Sequence, residues 1–570
     1  MKRTVGLVCM VLLTLVAPLA EGVRDQTWER YRTYRSLFQD KPPVGPPPPA
    51  MTPRLVVVLV RGLRLEPSRR MPALNQLRAR GADIILEQVP PTYRAAAETS
   101  WLSGALPAVH GVIAQATTDA PMPDTLLHRL SDQQRESVLV ADAPVVERFE
   151  SLVARAAVPD DPHPARRDSQ AIALVLEMLR DANPPATFAL VELTLLERVA
   201  RESPNEYSSA VAATDFRLRE LINALDLTNT TLVIAGDRGL TSQGSDGGGE
   251  SVVVRVPWVM AGLGVAGQTQ ALASVAQFAP TLAVLAGVSL PVQAEDIPLF
   301  EALASNPAAM LAAARQVTAF YELWAETLGL PRFAAGLLRD HEADIAKGDR
   351  AALAAWRARL LAAVQRFTQQ RLTEERLVRL PLSAGVGLGL LALALALARL
   401  QTWRSLALGG VAVLAAGAGL AVAYGWPPSL SLFRDAQPAE LLTQLEWRAV
   451  ALFLAVGGLM ALLTGACKDV FEAAGQVMSG LALLAVWPAL AVTWFYWQWG
   501  DAWSWVLPDG AALAAAQVAL TALSALSIPP ADAIPVELPL TVVAASAAVP
   551  LYGLARLRRR ARARRTLHVD

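Results

Sequence analysis

Leu55-Val-Val-Val-Leu-Val60 is the stretch of sequence that decides the fold. An uninterrupted run of β-branched and aliphatic residues predicts a strand that is buried on both faces, as in parallel sheets covered by helices. Further strand-like runs occur at 84–89, 137–141, 187–193 and 231–235. Helical stretches alternate with them at 71–80, 170–181 and 208–225. This alternation predicts a doubly wound α/β sheet whose ligands bind at the carboxyl ends of the strands.

Length and composition limit what the chain can be. A chain of 570 residues is longer than one hydrophobic core normally supports, so more than one domain is expected. The 51 basic and 51 acidic residues leave no net charge, which argues against nucleic acid as a partner. Only two cysteines occur, Cys9 and Cys467, which excludes a disulfide framework and a Cys-based metal site.

The first 53 residues are predicted to carry the following domain across a membrane. A short basic start precedes an apolar run from Val5 to Ala20, so residues 1–22 have the pattern of a signal peptide or an N-terminal anchor. Residues 23–53 end in a proline-dense stretch, which favours an extended Pro-rich linker. In both cases the domain that begins at Arg54 is expected on the extracytoplasmic side.

The C-terminal part of the chain is predicted to lie in the membrane. Residues 300–379 are Ala-rich and charged at helical spacing, which indicates a helical connector. Residues 380–557 contain long apolar segments with Trp and Tyr near their ends, which indicates five to six transmembrane helices. The candidate spans are Leu380–Ala398, Leu406–Trp426, Ala449–Ala466, Val477–Trp497, Ala511–Ile528 and Leu538–Leu557.

Charges near these segments determine the expected topology. Residues 558–570 form an Arg-rich tail that should stay in the cytoplasm, whereas the N-terminal domain lies outside. Five crossings satisfy both conditions, which makes Ala511–Ile528 the candidate for a re-entrant or interfacial segment. We therefore expect a multi-pass protein of the cell membrane with membrane lipids as partners. Small residues on the transmembrane helices would allow a membrane-protein partner to pack closely.

Several motifs between residues 54 and 299 occur in the order and spacing of a known family. They are Leu55-Val-Val-Val-Leu-Val-Arg-Gly-Leu-Arg64, Met71-Pro-Ala-Leu-Asn-Gln-Leu77, Ser103-Gly-Ala-Leu-Pro-Ala-Val-His-Gly-Val112, Thr231-Leu-Val-Ile-Ala-Gly-Asp-Arg-Gly239, Gly244-Ser-Asp-Gly-Gly248 and Val256-Pro-Trp-Val-Met-Ala-Gly262. Together they resemble the type I phosphodiesterase and nucleotide pyrophosphatase branch of the alkaline phosphatase superfamily. An exported domain before a multi-span region also resembles the architecture of the glycosylphosphatidylinositol ethanolamine-phosphate transferases.

This resemblance implies a site with two zinc-like ions, held by Asp and His side chains, and a Thr or Ser nucleophile. Carried onto this sequence, the first-strand Asp position holds Arg61 and the nucleophile position holds Arg94. The family's Asp and His ligand pair falls on Thr194 and Arg198. At these positions the side chains needed for metal-dependent chemistry are therefore replaced.

The remaining motif positions show the same replacement. The family's Asp-His-Gly motif reads Asp237-Arg238-Gly239, and a later His position holds Asp246. Only Asp237 matches a family ligand. The sequence therefore predicts no retained catalytic residue, no bound metal ion and no cofactor.

The replacements form a charged set of their own, for which two interpretations stay open. The guanidinium groups would converge where metal charge normally lies, with two carboxylates nearby. They would form either a buried ion-pair network or a site that binds a phosphate-type anion. The candidate residues are Arg61, Arg94, Arg198, Arg238, Asp237 and Asp246.

Other polar residues near these motifs are weaker candidates. His110 follows Pro107-Ala-Val and is interpreted as a structural turn residue. Thr92, Thr99 and Ser100 lie near the nucleophile position and would act only in a shifted register. The Gly-rich stretch 244–249 lacks the Lys and the following helix of a phosphate-binding P-loop.

These observations favour a membrane-anchored, exported protein of this superfamily type with a degenerate metal site. Its expected role is that of a non-catalytic scaffold or an anion-recognising subunit of an envelope complex. The alternative is an active phosphodiesterase, or a phosphoethanolamine- or phosphoglycerol-type transferase that acts on lipid-linked substrates. The missing ligands favour the non-catalytic interpretation, because metal ions supply much of the transition-state stabilisation in such reactions.

Overall fold

The computed structural model describes residues 2–114, 123–399, 428–433 and 470–524. Its centre is an eight-stranded sheet with the order β4-β3-β5-β1-β6-β7-β2-β8. The strands are β1 Arg54–Val60, β2 Ala82–Glu87, β3 Ser137–Val140, β4 Arg155–Ala157, β5 Phe188–Leu193, β6 Thr230–Gly236, β7 Arg255–Gly262 and β8 Thr269–Ser274. Among these, β7 runs antiparallel to both neighbours and the other pairings are parallel. The predicted α/β sheet is confirmed.

Helices connect the strands and continue beyond the sheet. Those up to the last strand are α1 Lys2–Arg32, α2 Leu65–Ser68, α3 Pro72–Arg80, α4 Arg94–Ser103, α5 Pro107–His110, α6 Leu126–Asp132, α7 Ala143–Phe149, α8 Pro164–Asp181, α9 Leu195–Glu202, α10 Tyr207–Ala224 and α11 Ser251–Val254. Those that follow are α12 Phe278–Ala286, α13 Pro307–Thr327, α14 Ala334–Arg339, α15 Glu342–Ala346, α16 Arg350–Arg399, α17 Val470–Trp499 and α18 Gly510–Ser524.

The central strand β1 is buried on both faces, as its sequence predicts. Leu55, Val57 and Leu59 enter one hydrophobic core, which contains residues of α4, α12 and α13. The alternate residues of β1 enter a second core, which contains residues of α3, α8 and α10. Full burial of each such side chain contributes about 1.5–3 kcal/mol, so both helical layers are needed to stabilise this strand.

Strand register determines where the functional candidates meet. Val60, the last residue of β1, pairs with Leu193 of β5 on one side and with Gly236 of β6 on the other. The residues that follow these strand ends, Arg61 and Asp237 among them, therefore emerge next to each other at one edge of the sheet.

The predicted leader and Pro-rich linker pack against other parts of the structure. One helix, α1, continues through residue 22 to Arg32 and packs against α17 and α18. The proline-dense segment lies on the domain, because the Gly45 amide donates to Gln316 Oε1 at 2.6 Å and the Met51 amide donates to the Leu285 carbonyl at 3.0 Å. Its prolines keep the segment extended, but these contacts fix it to the domain surface.

The predicted boundary at residue 380 lies inside a helix. α16 runs without interruption from the connector into the first candidate span, and it packs along α17. Within the part of the chain that the structure describes, α16 is the one helix long and apolar enough to cross a membrane. The candidates Leu406–Trp426, Ala449–Ala466 and Leu538–Leu557 and the basic tail 558–570 lie outside the described residues, as does Ala511–Ile528 beyond Ser524.

Candidate functional site

Arg61 lies at the carboxyl end of β1 and is buried with carboxylates. Its side chain is 2% exposed, and its Nη2 donates to both oxygens of Glu192 at 2.7 and 2.8 Å. Glu192 is the penultimate residue of the neighbouring strand β5, which places the two side chains together. A guanidinium in this position is stabilised only because paired carboxylates replace its water shell.

Asp142 joins Arg61 to a second arginine. It lies two residues after the end of β3, immediately before α7, and accepts a hydrogen bond from Arg61 Nη1 at 3.2 Å. Arg94, the first residue of α4, donates to both oxygens of Asp142 at 2.6 and 2.5 Å. Asp142 therefore bridges Arg61 and Arg94, the residues at the first-strand Asp position and the nucleophile position of the sequence motifs.

Arg238 is the centre of a second group of charges. Its side chain is fully buried, and it donates to Asp246 at 2.7 Å, to Glu197 at 2.5 Å and to Asp237. Arg201 lies beside it and donates to Glu197 at 3.2 Å and to Asp246 at 3.1 Å. Two arginines thus share the same two carboxylates.

Asp237 is held by backbone groups as well as by Arg238. Its Oδ1 accepts hydrogen bonds from the amides of Gly62 at 2.9 Å and of Arg238 at 2.7 Å. Gly62 has φ +75, and a Cβ there would lie 3.1 Å from the backbone of Glu197. The turn after β1 therefore requires glycine, both for its left-handed conformation and for its closeness to α9.

Burial and neighbouring charge shift the pKa values of the carboxyl groups in opposite directions. Burial raises the pKa of Glu192 to about 7, although Arg61 opposes the shift, and Glu98 and Asp142 add repulsion. Burial would also raise the pKa of Glu197, but Arg238, Arg61 and Arg201 hold it well below its usual range. The shifts keep Glu197 ionised and bring the pKa of Glu192 close to neutral pH.

A cavity of about 350 Å³ opens beside this network. Among the residues that the structure describes, the charged side chains that line it are Arg61, Arg94, Arg148, Arg167, Arg198, Arg201, Glu98, Asp142, Glu197 and Glu202. Arginines therefore outnumber carboxylates in the lining. The side chain of Arg198, on α9, makes no hydrogen bond or ion pair with any described residue, so it remains available to a ligand in the cavity.

The residues at the positions where the resemblance implies metal ligands do not fit two zinc-like ions. Asp237 and Asp246 already accept hydrogen bonds from Arg238, and the fixed charge of Arg61 lies at the other ligand position. Within the described ranges, no group of three or more His, Cys, Asp or Glu side chains is arranged to hold a metal ion. The donor set lacks the imidazoles and open carboxylates that such ions require.

The weaker candidates His110, Ser100 and Thr99 form hydrogen bonds that stabilise the local structure. The Val112 amide donates to Nδ1 of His110 at 3.0 Å, and Nε2 lies 2.9 Å from Ser100 Oγ. Burial lowers the pKa of His110 to about 3, so it stays neutral. Thr99 donates to the Ala95 carbonyl within its own helix at 2.7 Å. None of these side chains lines the cavity in the part of the chain that is described.

The structure brings Arg61, Arg94 and Arg238 into one network with Asp237 and Asp246, and it places Arg198 on the cavity wall. The motif alignment missed the carboxylates and arginines that complete the network, which are Glu98, Asp142, Glu192, Glu197, Arg148 and Arg201. Asp142 and Glu192 had a detectable signal, because each lies at the carboxyl end of a predicted strand.

Comparisons with known proteins give the following similarities. No protein-family model matches the chain, and no curated protein matches it significantly. Among solved structures, a protein in the alkaline phosphatase superfamily from Vibrio parahaemolyticus is similar at 13% identity and a TM-score of 0.36, over 49% of this chain and 79% of that one. A murine ectonucleotide pyrophosphatase/phosphodiesterase 5 is similar at 11% identity and a TM-score of 0.35, over 41% and 95%.

A 2-O GAG sulfatase is similar at 13% identity and a TM-score of 0.33, over 44% of this chain and 73% of that one. At these identities and TM-scores the similarities assign no activity and no residue role to this chain. The superfamily named for the first of these structures is the one that the sequence motifs of this chain resemble.

Proposed function

We propose that the chain is a membrane-anchored protein whose charged cavity recognises a phosphate-type anion without metal-dependent catalysis. The observation that carries this proposal is the charge of the cavity, in which arginines outnumber carboxylates and Arg198 has no described partner. Guanidinium groups bind phosphate oxygens in pairs of parallel hydrogen bonds. A bound dianion would complete the charge balance of the lining.

The pairing of the buried arginines supports a role without metal. Arg61 and Arg238 carry fixed positive charge where two cations would otherwise lie. A divalent ion placed among them would be repelled, and it would compete with bonds that the carboxylates already make. An anion in the cavity would instead be attracted by the arginines of its lining, above all by Arg198, which has no described partner.

The apolar surface of α16 supports the membrane anchor. Its second half exposes large apolar side chains, which water would solvate poorly and a bilayer would cover. They are Leu377, Val378, Leu380, Leu382, Val386, Leu388, Leu391 and Leu395. The multi-pass topology, the extracytoplasmic domain and an envelope partner that binds through the transmembrane helices remain parts of this proposal.

Calorimetric titration of the full chain in detergent tests anion recognition. Inorganic phosphate and glycerol phosphate are titrated at low salt, because screening weakens such contacts. Arg198→Gln should weaken binding about ten-fold or more, the loss expected for one charge-assisted contact. Arg255→Gln is the control, because it removes the same charge from an arginine that is paired with Glu87 and does not line the cavity. Equal affinities in both variants would contradict the proposal.

The alternative function, an active phosphodiesterase or lipid-linked phosphotransferase, is tested separately. Zinc in the purified full chain is measured by elemental analysis, and hydrolysis of a generic phosphodiester is assayed alongside it. Stoichiometric zinc together with turnover that Asp237→Asn abolishes would establish the alternative and refute the non-catalytic role.

A further inference from the structure

A short segment, residues 428–433, lies against the domain close to the charged cavity. It contains a 3-10 turn at Leu430–Leu432, and it falls between the candidate spans Leu406–Trp426 and Ala449–Ala466. Leu430 and Phe433 are buried, and the Phe433 ring lies 4.6 Å from that of Trp28. A segment that connects two predicted membrane helices is thus packed both against helices outside the sheet domain, through residues such as Trp28 of α1, and against the domain, through Tyr93.

The segment is bound by the Gly-rich loop, residues 244–249, which is not a P-loop. The Gly248 amide donates to Ser431 Oγ at 3.1 Å, and that hydroxyl donates to Glu250 Oε2 at 2.8 Å. On the other side, the Tyr93 hydroxyl donates to the Leu430 carbonyl at 3.0 Å. A hydroxyl and a carbonyl of the segment therefore both form hydrogen bonds with the domain.

Close approach explains two of the glycines in this loop. A Cβ on Gly248 would overlap with the hydroxyls of Ser429 and Ser431. Gly247 has φ +97, and a Cβ there would overlap with the Tyr93 ring. By contrast, a Cβ on Gly249 would meet only Pro90, at an ordinary 3.4 Å. Glycine is therefore required at position 247, whereas a side chain at position 248 would force the side chains of Ser429, Ser431 and Glu250 to shift.

Two residues near the segment, Gly247 and Tyr93, are also next in sequence to residues of the charged network. Gly247 follows Asp246, the partner of Arg238 and Arg201, while Tyr93 precedes Arg94, the partner of Asp142. Thr92 connects the two sides, because Gly247 donates to its hydroxyl at 3.0 Å and that hydroxyl donates to the Gly248 carbonyl at 3.1 Å. Displacement of the Gly-rich loop would therefore move Asp246 and the start of α4 together.

We infer that residues 428–433 are an intramolecular latch, which docks on the Gly-rich loop and couples the helices predicted to lie in the membrane to the geometry of the charged cavity. The regulatory part of this inference, that latch docking changes anion affinity, rests on the proposed function. The latch itself rests on the packing and hydrogen bonds alone. Coupling of this kind is reciprocal, so a bound anion would in turn stabilise the docked latch.

Hydrogen exchange of the full chain in detergent tests the latch without any ligand. Gly248→Ala should accelerate amide exchange about ten-fold or more in residues 428–433 and also in residues 92–98, because the latch is expelled and α4 loses its anchor. Gly249→Ala is the matched control and should leave both segments at the wild-type rate. Faster exchange in 428–433 alone would refute the coupling, and unchanged exchange in both segments would refute the latch.

Ser431→Ala provides a second variant that adds no atoms, in case Gly248→Ala impairs folding. It removes two hydrogen bonds and should accelerate exchange in the same two segments, by a smaller factor. Wild-type exchange rates in this variant would also refute the latch.

Titration with inorganic phosphate separates the two proposals. Phosphate that binds the wild type and Gly249→Ala equally, and Gly248→Ala at least about five-fold more weakly, supports regulation by the latch. Equal affinities in all three proteins would refute that regulation and leave anion recognition intact. Absence of phosphate binding to the wild type would refute the proposed function and the regulation. The exchange rates would still show whether the latch docks on the Gly-rich loop.

Discussion

Glu197 accepts a hydrogen bond of 2.5 Å from Nη2 of Arg238. Its other carboxylate oxygen lies 3.8 Å from Nη1 of Arg61, so this one side chain connects the two buried arginines. Arg201 donates to it from the next turn of α9. The two groups of charges that surround the cavity therefore form one network, in which Glu197 is the shared anion.

The first prediction concerns Glu197. Glu197→Gln should lower the free energy of unfolding by about 3–5 kcal/mol, because it leaves buried guanidinium charge without its counter-ion. Glu202→Gln, on the same helix and exposed, should change it by less than about 0.5 kcal/mol. Denaturant unfolding of the full chain in detergent measures both, and equal losses would contradict a central role for Glu197.

The second prediction concerns Asp142, which competes with any anionic ligand for Arg61 and Arg94. Asp142→Asn removes that internal competitor and should tighten binding of inorganic phosphate about ten-fold, while it lowers stability. Asp161→Asn breaks an exposed pair with Arg166 and is the control. If Asp142→Asn loses stability without a gain in affinity, the network is only structural.

The third prediction concerns pH and Glu192. Its pKa is raised from 4.5 to about 7, so the folded state binds this proton more tightly than the unfolded state. The resulting stabilisation is fully present below about pH 4.5 and is lost as pH rises through about 7. Glu192→Gln should therefore reduce the decline in stability between about pH 5 and about pH 8.

Thermal unfolding measured across this range checks the prediction about Glu192. Glu220→Gln, which breaks an exposed pair on α10, is the control and should keep the wild-type pH profile. If Glu192→Gln keeps the wild-type pH profile, groups other than Glu192 cause the pH dependence of stability. Glu295 and Asp168, whose pKa values burial raises to about 8 and about 6, contribute with the same sign and would be the next candidates.

The fourth prediction is that α1 is retained in the mature protein. Ala20 is buried, the Arg24 side chain donates to Ser524 at 3.3 Å, and Gln517 donates to the Arg24 carbonyl at 3.3 Å. These contacts hold the C-terminal part of α1 against α18, so loss of residues 2–20 would truncate a packed helix. Intact mass measurement of the purified protein should find residues 2–20, and a mature N-terminus at Glu21 would contradict this prediction.

Much of the sheet domain could be predicted from local sequence pattern. The runs at 55–60, 187–193 and 231–235 became adjacent strands, because a buried strand needs continuous apolar character that is visible over a few residues. The cavity was predictable only in part. Motif spacing found four of the arginines, Arg61, Arg94, Arg198 and Arg238. Glu98 and Glu197 lie within helices and carry no signal that distinguishes them from solvent-exposed acids.

The sequence by itself determined that β1 is buried on both faces and that arginines stand at the ends of the central strands. Only the tertiary structure decided which charges pair, since Arg61 and Glu192 are 131 residues apart in the chain. It also decided that Tyr93 contacts Leu430, at a separation of 337 residues. Hydrophobic periodicity is a local property, whereas ion pairs and close packing depend on which segments the sheet and the helices bring together.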